Sequence, residues 1–160
     1  MDPPVPLGGV NVRSPAALLL TVAEQLRLMG RQSVLRVVTT HADHPKASML
    51  ASLSLQLVEQ WWVREVRPAA DAAAPGRVSG PGFSGLLVPA PPVYDPGGLV
   101  LMAERVDDDA DISTVGDHAA ALGAVLAIVP AAPGTIRARE LQRLGWTVAP
   151  DWYLGSPVLP

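Results

Sequence analysis

The chain has 160 residues, 49% of them hydrophobic and 4% aromatic, which suits a soluble globular protein with enough length to bury a core in one domain or two small modules. Its formal net charge of −3 gives no electrostatic reason to expect nucleic acid or an anionic membrane surface as partner. There is no cysteine, so disulfides, thiolate metal sites and cysteine nucleophiles are excluded, and the expected location is cytoplasmic.

The N-terminal MDPPVPLGG lacks the basic and apolar regions of a signal peptide. The most apolar run, AALLLTVA, is far shorter than the roughly 20 residues that cross a bilayer, so no membrane association is expected. Ser14 can cap a helix and Pro15 suits its first position, where a missing N–H costs nothing. Leu18, Leu19, Val22, Leu26 and Met29 then recur at helical spacing, and Gly30 can end the helix, so the pattern predicts a helix over 15–29. SVLRVVTT is short, β-branched and apolar on both faces, which reads as a buried strand ending at Thr39 and Thr40.

HADHPKASMLASLSL opens with capping residues and a proline and is expected to be helical to about Leu53. QLVEQWWVREV alternates as a strand, with Leu57, Glu59, Trp61 and Val63 on one face and Val58, Gln60 and Trp62 on the other. Residues 67–85 are rich in proline, alanine and glycine without a period and read as a linker or loop. Leu86–Val93 and Leu99–Val106 flank DPGG and read as a hairpin, because proline presets φ and glycine permits φ > 0. After the acidic run DDDAD come a helix over about 112–122 stopped by Gly123, the strand AVLAIVP, the helix TIRARELQRLG, and the strand WTVAPDWYL, with a break expected at Pro150.

The order helix, strand, helix, strand thus occurs twice. Val34–Trp62 and Val125–Tyr153 align without a gap at an offset of 91, with identities at Val34/Val125, Leu35/Leu126, Val38/Val129, Ala47/Ala138, Leu50/Leu141, Leu53/Leu144 and Trp61/Trp152. A unit of this length cannot bury both faces of its strands alone. The expected organisation is a first module over 1–66, a linker over 67–85, a β-hairpin over 86–106 and a second module over 107–160. The expected fold class is α/β, with a mixed central sheet, flanking helices and two pseudo-repeated modules.

LQRLGW (Leu141–Trp146), placed after a buried strand and before another, resembles the phrase that ends a helix in the C-terminal half of the GNAT acetyltransferase superfamily, and LASLSL (Leu50–Leu55) resembles a worn copy. The similarity covers roughly residues 8–66 and 110–155. Val10–Val12 stands where the family's fourth strand would end, and the helix over 15–29 stands where its acetyl-CoA-binding helix would be. The resemblance implies acetyl-CoA as cofactor, with Val12, Arg13, Ser14 and Ala16 nearest its phosphates and Thr39 and Thr40 at the end of the adjacent strand. It also implies a V-shaped opening between strands 10–12 and 34–38.

The departures from the family's pattern are specific. Its pyrophosphate loop carries glycines that let backbone N–H groups approach the phosphates. VRSPAALL has none, and Pro15 removes a donor. At the same place the second module offers DDDADISTVGD, whose carboxylates repel a pyrophosphate. The tyrosine that the family uses on the leaving thiolate falls at Leu50 and Leu141, and Glu59 is merely the nearest carboxylate for a base. Two functions are therefore expected in competition: an acyl-CoA-dependent N-acyltransferase with a degenerate cofactor loop, or a catalytically inactive interaction module of the same fold, forming a homodimer.

Other chemistry has weaker support. His41 and His44 flank Asp43 in a pattern that suits a divalent metal, but Asp43 or His44 capping the helix before Pro45 explains the pattern, and no metal is expected. Asp107–Asp111 lacks the spacing and glycine of a calcium loop and reads as a helix start. His118 reads as an isolated surface residue. Ser84 in GFSG lacks the strand-to-helix elbow of a serine nucleophile. Trp61, Trp62, Trp152 and Tyr153 occupy matched positions and read as cross-strand packing, with Trp62 and Tyr153 expected as the more exposed pair.

Overall fold

The structure, a computed structural model, describes residues 34–90 and 97–157. The helix expected over 15–29 and strand 10–12 lie outside the described residues. The described chain forms β1 (Leu35–Thr40), α1 (His44–Ser52), β2 (Gln56–Glu65), β3 (Gly76–Gly80), β4 (Phe83–Pro89), β5 (Leu99–Val106), α2 (Ser113–Ala121), β6 (Ala124–Ala131), α3 (Ile136–Arg143) and β7 (Thr147–Gly155). One seven-stranded mixed sheet runs in the order β1-β7-β2-β6-β5-β4-β3. Every neighbouring pair is antiparallel except β5 and β6, which are parallel and joined through α2.

The two stretches of similar sequence fold alike, residue for residue. Both helices carry a side-chain N-cap: Asp43 accepts from the Lys46 backbone N–H, and Thr135 from that of Ala138. Both end with the same backbone bond, Leu55 N–H to Leu50 C=O and Trp146 N–H to Leu141 C=O, each 3.0 Å. That closure needs a left-handed residue just before its donor. Gly145 supplies it at φ 82°, and Ser54, 91 positions earlier, is held at φ 65°.

Within the sheet the two strand–helix–strand units interlock. β7 lies between β1 and β2, and β2 lies between β7 and β6, so each unit places its second strand inside the other's pair. Along the β2–β7 seam Gln60 faces Asp151, its own counterpart at the offset of 91. The pairs Leu57/Tyr153 and Trp62/Val148 are related in the same way.

All three helices cover one face. Residues opposite in register project from the same side of a sheet, which places Val37, Thr39, Tyr153, Asp151, Gln60, Trp62, Val129, Ala131 and Leu101 together. Tyr153, Leu57 and Val37 pack under Leu50 and Leu53 of the α1 segment. Trp62, Val129, Leu87 and Leu101 pack with Val115 and Ala119 of α2 and Ala138 and Leu141 of α3.

Several expectations change. The linker expected over 67–85 contains β3 and the start of β4, which form a tight hairpin around Pro81 and Gly82. Proline followed by glycine at φ 71° is what a type II turn demands, and the surrounding glycines mask that signal in composition. The arm expected at Leu86–Val93 starts earlier, at Phe83, and ends at Pro89; its pairing with β5 is antiparallel as expected. β7 runs unbroken through Pro150, because β2 and β7 shift register between Gln60 and Trp62 and the missing N–H falls at that irregularity. Trp62 and Tyr153 are both 7% exposed, the reverse of their expected role, since they lie on the helix-covered face. A second register shift, between Leu57 and Glu59, also moves Leu57 to the face opposite Glu59.

Ser54→Gly should stabilise the protein by about 0.5–1 kcal/mol, because it relieves a left-handed conformation at a non-glycine residue. Urea denaturation measures this, and the complementary Gly145→Ser should lower the midpoint.

Candidate functional site: a cleft between the two parallel strands

β5 and β6 pair from Leu99/Ala124 to Met102/Ile128 and then part. Ala103–Val106 and Val129–Ala131 therefore face each other without ladder bonds across the gap. Their other edges stay paired, Ala103 with Gly85 on β4 and Val129 and Ala131 with Trp62 and Gln60 on β2. The opening is a hollow of about 730 Å³. Its walls are the two strand ends, Ala132, Asp108 and the start of α3 from Gly134 to Glu140.

Charged groups on the walls come from β5, from Asp108 beyond it and from α3, while β6 contributes only Pro130 and Ala131. Glu104 on β5 is 41% exposed at its side chain, and its carboxylate meets Arg77 Nη1 at 3.3 Å in a solvent-exposed pair that contributes little. Arg137, in the first turn of α3, donates from Nη2 to the Asp107 carbonyl oxygen. Leu141, where the resemblance placed a tyrosine, is fully buried in the core. The first module's Leu50 is also fully buried, under β1 and β7.

The loop from β5 to α2 is folded onto itself. The Asp111 carboxylate accepts from both the Ser113 N–H (2.9 Å) and its hydroxyl (2.7 Å), which holds its pKa below the usual value. The Asp107, Ala110 and Thr114 N–H groups donate to Gly82, Asp107 and Asp111 carbonyls. A phosphate arriving here would find those donors occupied and Asp107, Asp108, Asp109 and Asp111 around it. The loop does not fit a pyrophosphate, although the cleft beneath it is open.

Of the residues expected to bind cofactor, the two described ones, Thr39 and Thr40, do not line this cleft. Val12, Arg13, Ser14 and Ala16 lie outside the described residues. Thr39, 4% exposed and opposite Asp151, and Thr40 both line a separate hollow of about 340 Å³ with Val38, Asp43, Lys46, Ala149 and Pro150. Among the described residues the opening lies between β5 of the expected hairpin and β6 of the second module; an opening between strands 10–12 and 34–38 falls partly outside the described residues. Glu59 is engaged elsewhere, with Arg36 at 3.1 Å and the Trp61 indole N–H at 2.8 Å. The signal missed in sequence was the acidic Val106–Asp107 junction, which marks the end of the diverging strand.

Of the other candidates, Asp43 caps α1 and His118 packs edge-on to Phe83 at 5.4 Å. Ser84 is a strand residue opposite Ser79 and Arg105. No group of three or more histidine, aspartate or glutamate side chains is placed to hold a metal among the described residues. His41 instead meets Asp151 through Nδ1 at 2.8 Å, and Gln60 Nε2 donates to the other Asp151 oxygen at 3.0 Å. Asp151 is 4% exposed, so these two bonds compensate a buried carboxylate at the centre of the seam.

Burial, and then the Asp151 charge, push the Tyr153 phenol above its ordinary value of 10. The neutral phenol is thus favoured by folding: its contribution is complete below the unfolded pKa and is lost as pH rises through the folded one. Absorbance titration should place Tyr153 above pH 10, and Asp151→Asn should lower its midpoint part of the way back. A Tyr153→Phe variant should lose less stability between neutral pH and this alkaline range than the parent.

No family model matches the sequence, and no curated protein matches it. Among solved structures, a protein described as a putative acetyltransferase from Thermoplasma acidophilum is similar, with a TM-score of 0.59 and 10% sequence identity. The alignment covers 88% of this chain but 62% of that one, so the chain spans less than two thirds of its neighbour's length. At that identity the likeness is one of fold alone: a mixed α/β arrangement of sheet and helices similar to that of the neighbour.

Proposed function

We propose that this chain is an acyltransferase-fold protein whose cleft between β5 and β6 takes up the acyl-pantetheine arm of an acyl thioester, with acetyl-CoA as the parent cofactor. The observation that carries this is the divergence of β5 and β6 after Met102 and Ile128. The β5 edge beyond Met102 can offer N–H and C=O groups, and Pro130 on β6, which has no N–H, its carbonyl, to an extended chain bearing amides that pairs as an added strand would. When bound, the thioester supplies an activated acyl group. The chain's own residues hold the arm, shield it between Ala103 and Ala131, and accept a proton from the incoming amine.

Glu104 is the carboxylate best placed for that last task, as a side chain on the cleft wall whose exposed partner Arg77 competes weakly. Leu141 cannot protonate a leaving thiolate, so that proton comes from solvent in this account. The nucleotide end of the cofactor gains nothing from the Asp107–Asp111 loop. Acyl-pantetheine should therefore bind about as well as acyl-CoA.

A second reading, a non-catalytic interaction module forming a homodimer, is favoured by the uncovered face of the sheet. Val38 and Leu154 are 42% and 39% exposed there. Beside them Trp61 and Trp152 touch at 5.2 Å, with the Arg36 guanidinium 4.5 Å from the Trp152 ring centre.

Calorimetry with acetyl-CoA and acetyl-pantetheine separates these readings. The acyl-thioester proposal expects both to bind with dissociation constants within about threefold, a difference under about 0.7 kcal/mol. No binding of either at millimolar concentration would overturn it. If transfer to an amine is detected, Glu104→Gln should lower its rate by about 10²-fold or more with binding intact. Binding without any transfer would favour the non-catalytic reading.

A further inference from the structure

Thr39, Gln60 and Asp151 are the buried polar side chains among the described residues, and they form one row across adjacent strands. Thr39 faces Asp151, and Asp151 faces Gln60, on the side of the sheet that the helices cover. Gln60 Nε2 donates to one Asp151 oxygen at 3.0 Å, and an asparagine at 151 would hold that bond without burying an ionisable group. The carboxylate has its distinct use at the other oxygen, Oδ2, which lies 2.8 Å from His41 Nδ1. His41 is fixed through its backbone as well, its N–H donating to the Ala149 carbonyl oxygen at 2.8 Å. The Asp151 side chain is 6% exposed and that of His41 51%, so a buried anchor holds an imidazole that reaches solvent. With its proton held on Nδ1 by an acceptor, the neutral ring carries a lone pair on Nε2, which makes no hydrogen bond among the described residues.

We propose that His41 and Asp151 form a catalytic dyad that hydrolyses a small neutral carboxylic ester, with His41 Nε2 as general base toward water. It is a second site, independent of the acyl-thioester reading. The hollow of about 340 Å³ at the ends of β1 and β7 takes the acyl group. Its walls are chain neighbours of the dyad: Thr39 and Thr40 before His41, Asp43 after it, and Ala149 and Pro150 before Asp151. Lys46, on the same wall, is anchored by a bond from Nζ to the Val38 carbonyl oxygen at 3.0 Å. Its further N–H groups suit the acyl oxygen, which becomes negative when water adds. Asp43 balances the Lys46 charge, so the hollow favours a neutral ester over an anion. In the step, Nε2 takes a proton from water as the water oxygen bonds to the acyl carbon. It then returns that proton to the leaving alkoxide as the ester C–O bond breaks. Asp151 accepts from Nδ1 throughout and stabilises the imidazolium, which makes it a positioning residue.

Hydrolysis of p-nitrophenyl acetate by the full chain tests this, with release of p-nitrophenolate as the readout. The expected rate is about tenfold or more above that of His41→Gln, whereas His44→Gln keeps the parent rate. Asp151→Asn should lower the rate by a similar factor, because an asparagine amide that donates to Nδ1 sets the wrong tautomer. Nitrogen chemical shifts of the His41 ring read the tautomer directly: the proton is expected on Nδ1 in the parent and on Nε2 in Asp151→Asn. If Asp151→Asn does not fold, the parent spectrum and the His41→Gln rate decide. Equal rates in the parent and His41→Gln overturn the proposal, as does a parent ring protonated on Nε2. A rate lost in His41→Gln but kept in folded Asp151→Asn also overturns it, since a lone imidazole then suffices. So does release of a single equivalent with the acetyl group left on Lys46, because the acceptor is then an amine and not water.

Discussion

The antiparallel seam between β2 and β7 is the interaction on which the rest of the structure depends. Each of these strands belongs to a different strand–helix–strand unit, yet each is hydrogen-bonded on both edges by the two strands of the other unit. Neither unit can satisfy its backbone alone, because removing one leaves the other with unpaired edges and an uncovered apolar face. At the middle of the seam the two copies meet themselves, Gln60 against Asp151 and Trp61 against Trp152. A buried carboxylate is costly unless bonded, so the Gln60 and His41 contacts make this register better than a slip by one residue, which would leave Asp151 unpaired. The ungapped similarity at an offset of 91 is therefore visible as geometry across a shared sheet.

The seam also sets up the cleft. β6 is fixed along its whole inner edge by β2, from Glu65/Leu126 to Gln60/Ala131, so it cannot follow β5. β5 is fixed just as firmly on its outer edge by β4. Gly85 makes that outer pairing close, since a side chain there would run into the Met102 backbone. With both strands held by their far neighbours, the twist of the sheet opens between them where their mutual ladder ends. The start of α3 then closes one side of the opening and brings Arg137 to it. An opening held from both sides is pre-formed, which lowers the cost of binding an extended ligand.

Much of the α/β character was legible from local pattern. Ser54 and Gly145 ended their helices where the repeated phrase placed them, and Gly123 ended α2 at φ 74°. What escaped were features decided by partners distant in sequence. β3 is a short strand on the sheet edge, and its residues GRVSG carry no apolar alternation because both ends are glycine. Phe83 covers the place where a Gly80 side chain would stand. Trp62 and Tyr153 looked like candidates for exposure because both faces of their strands are apolar, and only the helices' choice of one face decides between them. The cleft escaped for a related reason. The cofactor site was placed in the first module, whose described strand β1 pairs antiparallel with β7, whereas the split parallel pair joins β5, an arm of the expected hairpin, to β6 of the second module.

The central claim is that an acyl-thioester arm binds along the unpaired edges of β5 and β6 without help from the loop that follows. Amide hydrogen exchange with and without acetyl-pantetheine tests it most directly, because amides that gain a hydrogen-bond partner slow their exchange. The account predicts added protection confined to amides within 103–106 on β5, with the Asp107–Asp111 loop unchanged. Protection that appeared in that loop alone, or no change along either strand at saturating ligand, would contradict it.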